Sequence, residues 1–227
     1  VLEVNPKEIT ALSDDDIIER WLCLNPRKVD SPLVRQSRKL ALKEDPERVS
    51  VLRERLASLS WFMRYLNEPL ARFANKEDGC KGRFWEGRFK SQRLLDEHAV
   101  LACMVYVDLN PMRAGISDDL QSAEHTSIKK RLLHTEDHHK PMCFLNDPER
   151  ALHFSCSLDA YIKLVNWTVD VQQSLRPSLM EGIPPPNQWV NHYLPRPGQW
   201  PRALGSLQSI KDYAVDLGQC WVRTARV

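Results

Sequence analysis

The chain has 227 residues, of which 42% are hydrophobic, so it can form one large domain or two small ones with a buried core. A formal net charge of +2 is too small to indicate a polyanionic partner, and any such argument must rest on local clusters of charge. No apolar run approaches the ~20 residues that cross a bilayer, and the sequence does not open with a signal peptide. The six cysteines include no Cys-x-x-Cys pair, a pattern typical of reduced thiols, and we expect a soluble, cytoplasmic protein.

The opening part of the chain predicts a strand followed by two helices. Positions 1–4 alternate in polarity like the end of a strand. A helix should run over 15–24, with Ser13 or Asp14 as its N-cap. The next segment, 31–43, carries several cations on a short helix, a pattern more typical of a solvated face than of a surface along DNA. These cations are Arg35, Arg38, Lys39 and Lys43.

The longest periodic stretch follows an Asp-Pro pair at 45–46, which is a strong helix start. Apolar residues then recur at alternating steps of four and three. Trp61 and Phe62 make this stripe wider than a coiled-coil seam, so we expect one long helix that covers a sheet. Pro69 should kink or break that helix. The stripe consists of Leu52, Leu56, Leu59, Met63, Leu66, Leu70 and Phe73.

The strip 79–93 is both basic and aromatic. Its cations face a single acid, Glu86, and alternate with aromatic residues, which suits a partner that offers phosphates and base faces. The alternative is a hairpin whose aromatic residues are core and whose cations are solvated. We expect Phe89 to be core, leave Trp85 open between core and stacking, and expect a strand over 88–94. The cations are Lys81, Arg83, Arg88, Lys90 and Arg93, and the aromatic residues are Phe84, Trp85 and Phe89.

An apolar helix should follow over 97–109, with Asp96 as its N-cap and Pro111 ending it. Tyr106 and Asn110 stand at i and i+4 on this helix and therefore share a face. Such a pair suits a nucleophile and a metal ligand, and the alternative is a buried tyrosine whose hydroxyl bonds a carbonyl. Three small residues on the same face leave room beside the phenol: Ala99, Ala102 and Cys103.

The rest of the chain predicts helices separated by irregular segments. A short basic helix should span 127–133, and the histidine-containing string 134–143 matches no zinc motif and predicts a polar loop. An apolar helical face follows over 158–169. The proline-rich segment 176–201 should have little regular structure, and a last helix should run over 207–217.

The run WEGRFKSQRLLDEHAVLACMVYVDLNPMRAGI resembles the tyrosine segment of the REP-associated, single-tyrosine HUH transposases of insertion sequences. In that family a Trp, a basic-aromatic strip, a tyrosine helix and a Tyr-x-x-x-Asn-Pro-x-(Arg/Lys) end follow at fixed spacing. Tyr106 stands at the nucleophile position, 21 residues after Trp85, and Asn110 stands where the family completes its metal site. The resemblance is close over 60–114 and looser on either side.

The resemblance implies a reaction on single-stranded or hairpin DNA. Members of the family attack a backbone phosphorus with the tyrosine oxygen, which leaves a 5′-phosphotyrosine and a free 3′ hydroxyl. A divalent ion, Mg²⁺ or Mn²⁺, polarises the scissile phosphate. On this basis Tyr106 is the expected nucleophile and Asn110 an expected metal ligand. The expected DNA-binding residues are Lys81, Arg83, Trp85, Arg88, Lys90, Arg93 and Arg113.

The sequence departs from the family at its metal histidines. These sit in a His-apolar-His strand upstream of the tyrosine, and none of the seven histidines here forms such a triplet. We therefore expect the chain to be the later part of a longer transposase, active at full length and inactive by itself. The expected fold is α+β: a helix-dominated remnant of the HUH antiparallel-sheet domain over 1–135, then a helical, proline-rich C-terminal extension over 136–227.

Two other readings of the sequence remain. The chain can be a non-catalytic DNA-binding relative or remnant of a mobile element, which a His-apolar-His strand in the full reading frame would argue against. It can also be an all-helical interaction module, for which the periodic stripe after 45–46 is the only support. Salt-dependent binding to a single-stranded oligonucleotide separates the last reading from the other two. The sequence leaves the oligomeric state open.

Overall fold

The structure, a computed structural model, describes residues 2, 6–124, 126–133, 141–143, 153–173, 178–194, 201–220 and 222. The chain divides into two compact units, Leu2–Lys90 and Ser91–Val227, which we call the N-terminal and C-terminal units. The boundary that the sequence predicts between 135 and 136, at the start of the C-terminal extension, stays a prediction. The opening strand predicted at 1–4 and the histidine-containing loop predicted at 134–143 fall wholly or largely outside the described residues.

The N-terminal unit consists of helices over its described residues: α1 (Pro6–Ala11), α2 (Asp14–Leu24), α3 (Pro32–Lys43), α4 (Pro46–Leu56) and α5 (Leu59–Glu77). Local capping explains where they begin. Ser13 Oγ accepts from the backbone N–H of Asp16, whose carboxylate accepts in return from the Ser13 N–H, each over 3.2 Å. Asp45 caps α4 in the same way, 2.9 Å from the N–H of Arg48. Both predicted helix starts are confirmed.

The single long helix expected after 45–46 is wrong, because the chain forms two helices there. Ala57 ends α4, and Ser58 adopts an extended conformation, with φ −90° and ψ 122°, from which α5 starts. Pro69 lies inside α5, which continues to Glu77. The helix is therefore not broken at Pro69, and the alternative, a kink there, stays a prediction.

The core of the N-terminal unit lies between α2 and α4, and its buried residues are Ile17, Ile18, Leu22, Val49 and Leu52. Helix α5 has no buried residue, so the expectation of a core stripe is wrong from Leu59 to Phe73, whereas Leu52 of the same stripe is core. Its inner side contacts this unit through Trp61 and Tyr65, whose rings lie 6.0 and 6.1 Å from that of Trp21. The other side is exposed at Phe62, Leu66, Leu70 and Phe73.

The cations of α3 are paired with acids, and three of the four pair with acids of α2. Lys39 Nζ and Arg35 Nη2 lie 2.7 and 2.9 Å from the carboxylate of Glu19. Lys43 Nζ lies 2.6 Å from Asp15, and Arg38 binds Asp30 at 3.2 Å. These ion pairs occupy the basic run, which leaves α3 little charge to offer a polyanion.

Over its described residues, the C-terminal unit contains helices and four short strands. Its helices are α6 (Glu97–Arg113), α7 (Ser127–Leu133), α8 (Leu158–Gln173), α9 (Pro186–Gln188), a π-helical turn (Trp189–Tyr193) and α10 (Leu207–Asp216). The strands are β1 (Arg93–Leu94), β2 (Pro141–Cys143), β3 (His153–Ser157) and β4 (Ala203–Leu204). Strand β1 pairs with β4 in parallel, and β2 pairs with β3 antiparallel. The helix-dominated α+β class is confirmed, whereas the strand predicted over 88–94 shrinks to two residues.

Helix α6 lies at the centre of the C-terminal unit. Its buried residues pack with Ile128 of α7, Tyr161 and Val165 of α8, and Trp189. Trp189 belongs to the proline-rich segment that we expected to lack regular structure, and that expectation is wrong over 186–193. The indole is fully buried and donates to Thr168 Oγ1 over 3.1 Å, so the segment is held to α8. The core residues of α6 are Ala99, Leu101, Ala102, Met104, Val105 and Leu109.

Asp96 joins the beginnings of two helices. Its Oδ1 accepts from the N–H of Ala99 over 2.9 Å and caps α6 as predicted. Its Oδ2 accepts from the N–H of Ser206 over 2.5 Å and from Ser209 Oγ over 3.2 Å. Ser206 is itself the N-cap of α10, so one carboxylate fixes both helices beside the β1 and β4 pair.

No helix within the described residues combines the length and the apolar character that a bilayer crossing requires.

We expect acid to weaken the contact between α2 and α3 through Glu19. Hydrogen bonds from Lys39 and then Arg35 lower the pKa of the Glu19 carboxyl to about 2, from an ordinary value of 4.5. Because the folded-state pKa is the lower one, this contribution to stability is complete above about pH 4.5 and is lost as the pH falls towards about 2. Glu19→Gln should therefore lower the Tm near neutral pH, and the difference from the unaltered chain should shrink on acidification.

The measurement is thermal unfolding followed by circular dichroism over a pH series, with hydrogen exchange to locate the change in α2 and α3. Glu54→Gln is the matched control, because Glu54 is exposed and forms no ion pair with a described residue. A Tm difference for Glu19→Gln that stays constant across the acid range would contradict the assignment.

Candidate functional site

Helix α6 extends one turn further than the sequence predicts. It ends at Arg113 and not at Leu109, with Pro111 inside its last turn. The bonds beyond the proline close the helix: Gly115 N–H donates to Met112 O over 3.1 Å, and Ile116 N–H donates to Pro111 O over 2.9 Å. This C-terminal cap needs a left-handed residue, and Gly115 supplies it with φ +68°.

The extra turn puts three candidate site residues on one face of α6, which we call the tyrosine face: Tyr106, Asn110 and Arg113. They stand at i, i+4 and i+7, positions that line up along a helix. Tyr106 is half-buried, while Asn110 and Arg113 are exposed. The guanidinium carbon of Arg113 lies 4.9 Å from the centroid of the Tyr106 ring. Tyr106 packs against the core of the C-terminal unit but is not sealed within it.

The small residues predicted beside the phenol lie deeper than the phenol itself. Ala99 and Ala102 are fully buried in the core and offer no space to a ligand. Cys103 is partly buried, and burial raises the pKa of its thiol above the ordinary value, so the thiol stays protonated. Access to the tyrosine face is therefore from the Asn110 and Arg113 end of α6.

A buried carboxylate on the opposite side of α6 was missed in the sequence. Asp108 is 1% exposed and lies between helices. Its Oδ2 accepts from the Tyr161 hydroxyl over 2.6 Å and from Arg131 Nη1 over 3.1 Å, and its Oδ1 accepts from Ser127 Oγ over 2.7 Å. The Arg131 guanidinium carbon also lies 5.0 Å from the centroid of the Tyr161 ring. The available signal was a lone acid in the middle of an apolar helix.

Tyr161 is a structural hydrogen-bond donor to Asp108. Burial, and then the neighbouring Asp108 carboxylate, raise the pKa of Tyr161 above its ordinary value, so its phenol is a permanent donor. Tyr161 is fully buried and is therefore structural. This distinguishes it from Tyr106, although both are tyrosines with a guanidinium over the ring.

Residues 79–90, the basic-aromatic loop, belong to the N-terminal unit. Two side-chain hydrogen bonds hold it to α5, beside backbone bonds at its start: Trp85 Nε1 donates to Asn67 O over 3.1 Å, and Asn75 Nδ2 donates to Gly82 O over 3.0 Å. The rings of Phe84 and Trp85 meet edge to face, with centroids 4.8 Å apart. Trp85 is 42% exposed and Phe84 43%, so both side chains are accessible to solvent.

The four cations of the basic-aromatic loop are exposed, and none forms an ion pair with a described residue. They are Lys81, Arg83, Arg88 and Lys90. Phe89 is half-buried and belongs to neither of the larger core clusters, so its assignment to the core stays a prediction. This exposure contrasts with α3, whose cations are paired.

Arg93, the remaining predicted DNA-binding residue, lies elsewhere. It stands on β1 in the C-terminal unit, with its guanidinium carbon 5.0 Å from the centroid of the Tyr213 ring of α10. The structure therefore groups Tyr106, Asn110 and Arg113 on α6, keeps Lys81 to Lys90 together in the other unit, and places Arg93 on a strand.

The described residues do not fit a resident metal ion by themselves. No group of three His, Cys, Asp or Glu side chains converges anywhere in the described part of the chain. Asn110 contributes one amide, and the nearest histidine along α6, His98, has its Nε2 3.0 Å from the carbonyl of Gly182. We derive no chemical step through a metal.

Comparison with known proteins identifies no relative: no family model, no curated protein and no solved structure matches this chain.

Removing the charge of Asp108 should destabilise the C-terminal unit. Asp108→Asn keeps the size of the side chain but replaces one acceptor oxygen with an NH₂ donor, which would face a donor from Tyr161, Arg131 or Ser127. Because breaking a buried charge pair leaves its partners unsatisfied, we expect a loss of about 3 kcal/mol in the free energy of unfolding.

Urea denaturation gives that free energy, and Asp118→Asn is the control. Asp118 is exposed, so the same chemical change there should cost less than about 0.5 kcal/mol. If the two variants are equally stable, the Asp108 network does not support α6.

Proposed function

We propose that this chain is the tyrosine-bearing part of a transposase that cleaves and rejoins single-stranded DNA. The tyrosine face carries the proposal: a phenol, an amide and a guanidinium stand in line on one accessible face of α6. Single-tyrosine HUH transposases, which the sequence resembles, need a phenol at this position of the motif. The finer fold assignment, a remnant of the HUH antiparallel-sheet domain, belongs to the same proposal.

The proposed step is a transesterification at a backbone phosphate. The oxygen of Tyr106 forms a bond to phosphorus, and the bond from phosphorus to the 3′ oxygen breaks. The phenol loses its proton to solvent, and the departing 3′ oxygen gains one, so charge and atoms balance. Rejoining reverses these bonds when a 3′ hydroxyl attacks the phosphotyrosine. Cys103, the other nucleophilic residue on this side of α6, stays a neutral thiol and does not compete.

Mg²⁺ or Mn²⁺ enters the proposal through the resemblance alone. Asn110 would supply one ligand, and a His-apolar-His strand elsewhere in the full-length protein would supply the others. Such an ion, when bound, would polarise the scissile phosphate. We therefore propose the reaction for the full-length protein and DNA binding for this chain.

The basic-aromatic loop is the proposed contact with single-stranded DNA. Its cations are free to neutralise phosphates, because none is paired with a described acid. Exposed rings of Phe84 and Trp85 offer faces on which unpaired bases stack, a contact that needs no particular sequence. The two anchors on α5 hold these groups in place before DNA arrives.

Replacing the phenol of Tyr106 should abolish the covalent adduct. In the full-length protein, Tyr106→Phe should form no denaturation-resistant complex with single-stranded or hairpin oligonucleotides from the flanking DNA, while its affinity for them changes little. Denaturing gels detect the adduct, and fluorescence anisotropy gives the affinity.

Tyr213→Phe is the matched control for that experiment. Tyr213 is also half-buried beneath an arginine, Arg93, but lacks the Asn-Pro sequence that follows Tyr106. We expect its variant to form the adduct normally. An adduct that persists in Tyr106→Phe would disprove the assignment of the nucleophile.

A non-catalytic DNA-binding protein is the second candidate function. The observation that favours it is that the basic-aromatic loop lies in a different compact unit from Tyr106 and needs no phenol to bind DNA. Both candidate functions predict the salt-dependent DNA binding described below. Only the transposase predicts a covalent adduct between Tyr106 and DNA.

Binding of this chain to a single-stranded oligonucleotide should weaken with salt. Each phosphate contact contributes about 0.7 to the slope of log K against log salt for single strands. Lys81→Gln, Arg83→Gln, Arg88→Gln and Lys90→Gln should each reduce the slope by roughly that amount. Lys43→Gln removes the same charge from a residue that is paired with Asp15, and it should leave the slope unchanged. Equal effects from the loop and from Lys43 would rule out a localised DNA contact.

A further inference from the structure

Arg113 is the last residue of the tyrosine face and contacts its phenol ring. It stands seven residues after Tyr106, in the last turn of α6, and its guanidinium carbon lies 4.9 Å from the centroid of the phenol ring. A cation at this distance over an aromatic face is attracted to the ring. The contact restricts where the ring and its hydroxyl can point, because the ring also packs against the core.

A guanidinium that covers a ring can still bind a phosphate. Arginine contacts an aromatic face with its own flat face, while its five N–H donors point outward in the plane of the group. These donors match two oxygens of one phosphate. Arg113 is exposed and forms no ion pair with a described residue, unlike Arg131, which is taken up by Asp108.

Electrostatics make such a cation necessary at this end of α6. The C-terminal end of a helix carries partial negative charge and disfavours a phosphate. Ala114, Gly115 and Ile116 satisfy three of the last carbonyls with their N–H groups, but they bring no positive charge. Neither a phenol nor an amide can carry a positive charge, so within the tyrosine face only Arg113 can offset the charge of a backbone phosphate.

We propose that Arg113 is the positioning residue of the tyrosine face, holding the Tyr106 ring by stacking and binding the DNA phosphate that the phenol attacks. This inference rests on the proposed function. It adds a phosphate-binding role for Arg113, which would hold the DNA backbone beside Tyr106 and Asn110. Arg113 can have this role only because α6 continues past Pro111, which places Arg113 on the same helix face as Tyr106.

The test observes the Tyr106 ring directly in this chain. The protein is labelled with 3-fluorotyrosine, and the ¹⁹F resonance of Tyr106 is assigned as the one missing in Tyr106→Phe. A short, mixed-sequence, single-stranded oligonucleotide is then added, with binding followed in parallel by anisotropy. We expect the Tyr106 resonance to move on binding. Arg113→Gln should shift that resonance in the free protein and remove its response to DNA.

Two further variants make the result specific. Arg113→Lys keeps the charge without the planar donors, and it should recover part of the response to DNA. Lys130→Gln removes one exposed charge from α7 in the same unit and should leave the response intact. Circular dichroism spectra that match the unaltered chain show that the variants are folded.

The outcomes separate the inference from the proposed function. If DNA binds and the Tyr106 resonance does not move, or moves equally in Arg113→Gln, the role of Arg113 is overturned while DNA binding stands. If no oligonucleotide binds even at low salt, the proposed function fails and the inference falls with it. In the full-length protein, Arg113→Gln should lower kcat for cleavage on the order of 100-fold with a smaller change in KM.

Discussion

The buried carboxylate of Asp108 is the contact on which the C-terminal unit depends. It accepts hydrogen bonds from Ser127 and Arg131 of α7 and from Tyr161 of α8, so one charge ties three helices together. A buried ion is costly unless its partners are all present, which makes the arrangement of these helices nearly all or none. Segments that the sequence treats as an extension are therefore part of the same core as α6.

Helix α6 has two functional sides because of this network. Asp108 and the apolar residues hold one side in the core, and the other side carries Tyr106, Asn110 and Arg113 at the surface. If Tyr106 is the nucleophile that we propose, its place on a centrally packed helix would hold the ring in a defined direction, which an in-line attack on a phosphate requires. The half-buried ring of Tyr106 packs against the core and has the guanidinium of Arg113 over it.

The cations of the N-terminal unit fall into two groups, one paired with acids and one exposed. Cations on α3 are paired with Glu19 and Asp15 of α2 and stabilise the contact between helices. Cations of the basic-aromatic loop are exposed beside Phe84 and Trp85 and remain available to a ligand. Composition cannot make this distinction, because both sets are runs of Lys and Arg with aromatic or apolar neighbours. The exposed apolar residues of α5, from Phe62 to Phe73, show that composition likewise cannot distinguish a buried apolar stripe from an exposed one.

The sequence by itself determined where most helices begin, since a cap is a contact across three or four residues: Ser13, Asp45, Asp96 and Ser206 all cap as their local sequence indicates. It also determined that Tyr106 and Asn110 share a face, because that follows from helix geometry alone. Only the tertiary structure decided that α6 runs past Pro111 to bring in Arg113, that α5 is exposed, and that Asp108 is buried with three donors. Burial depends on partners tens of residues away, and no local pattern contains them.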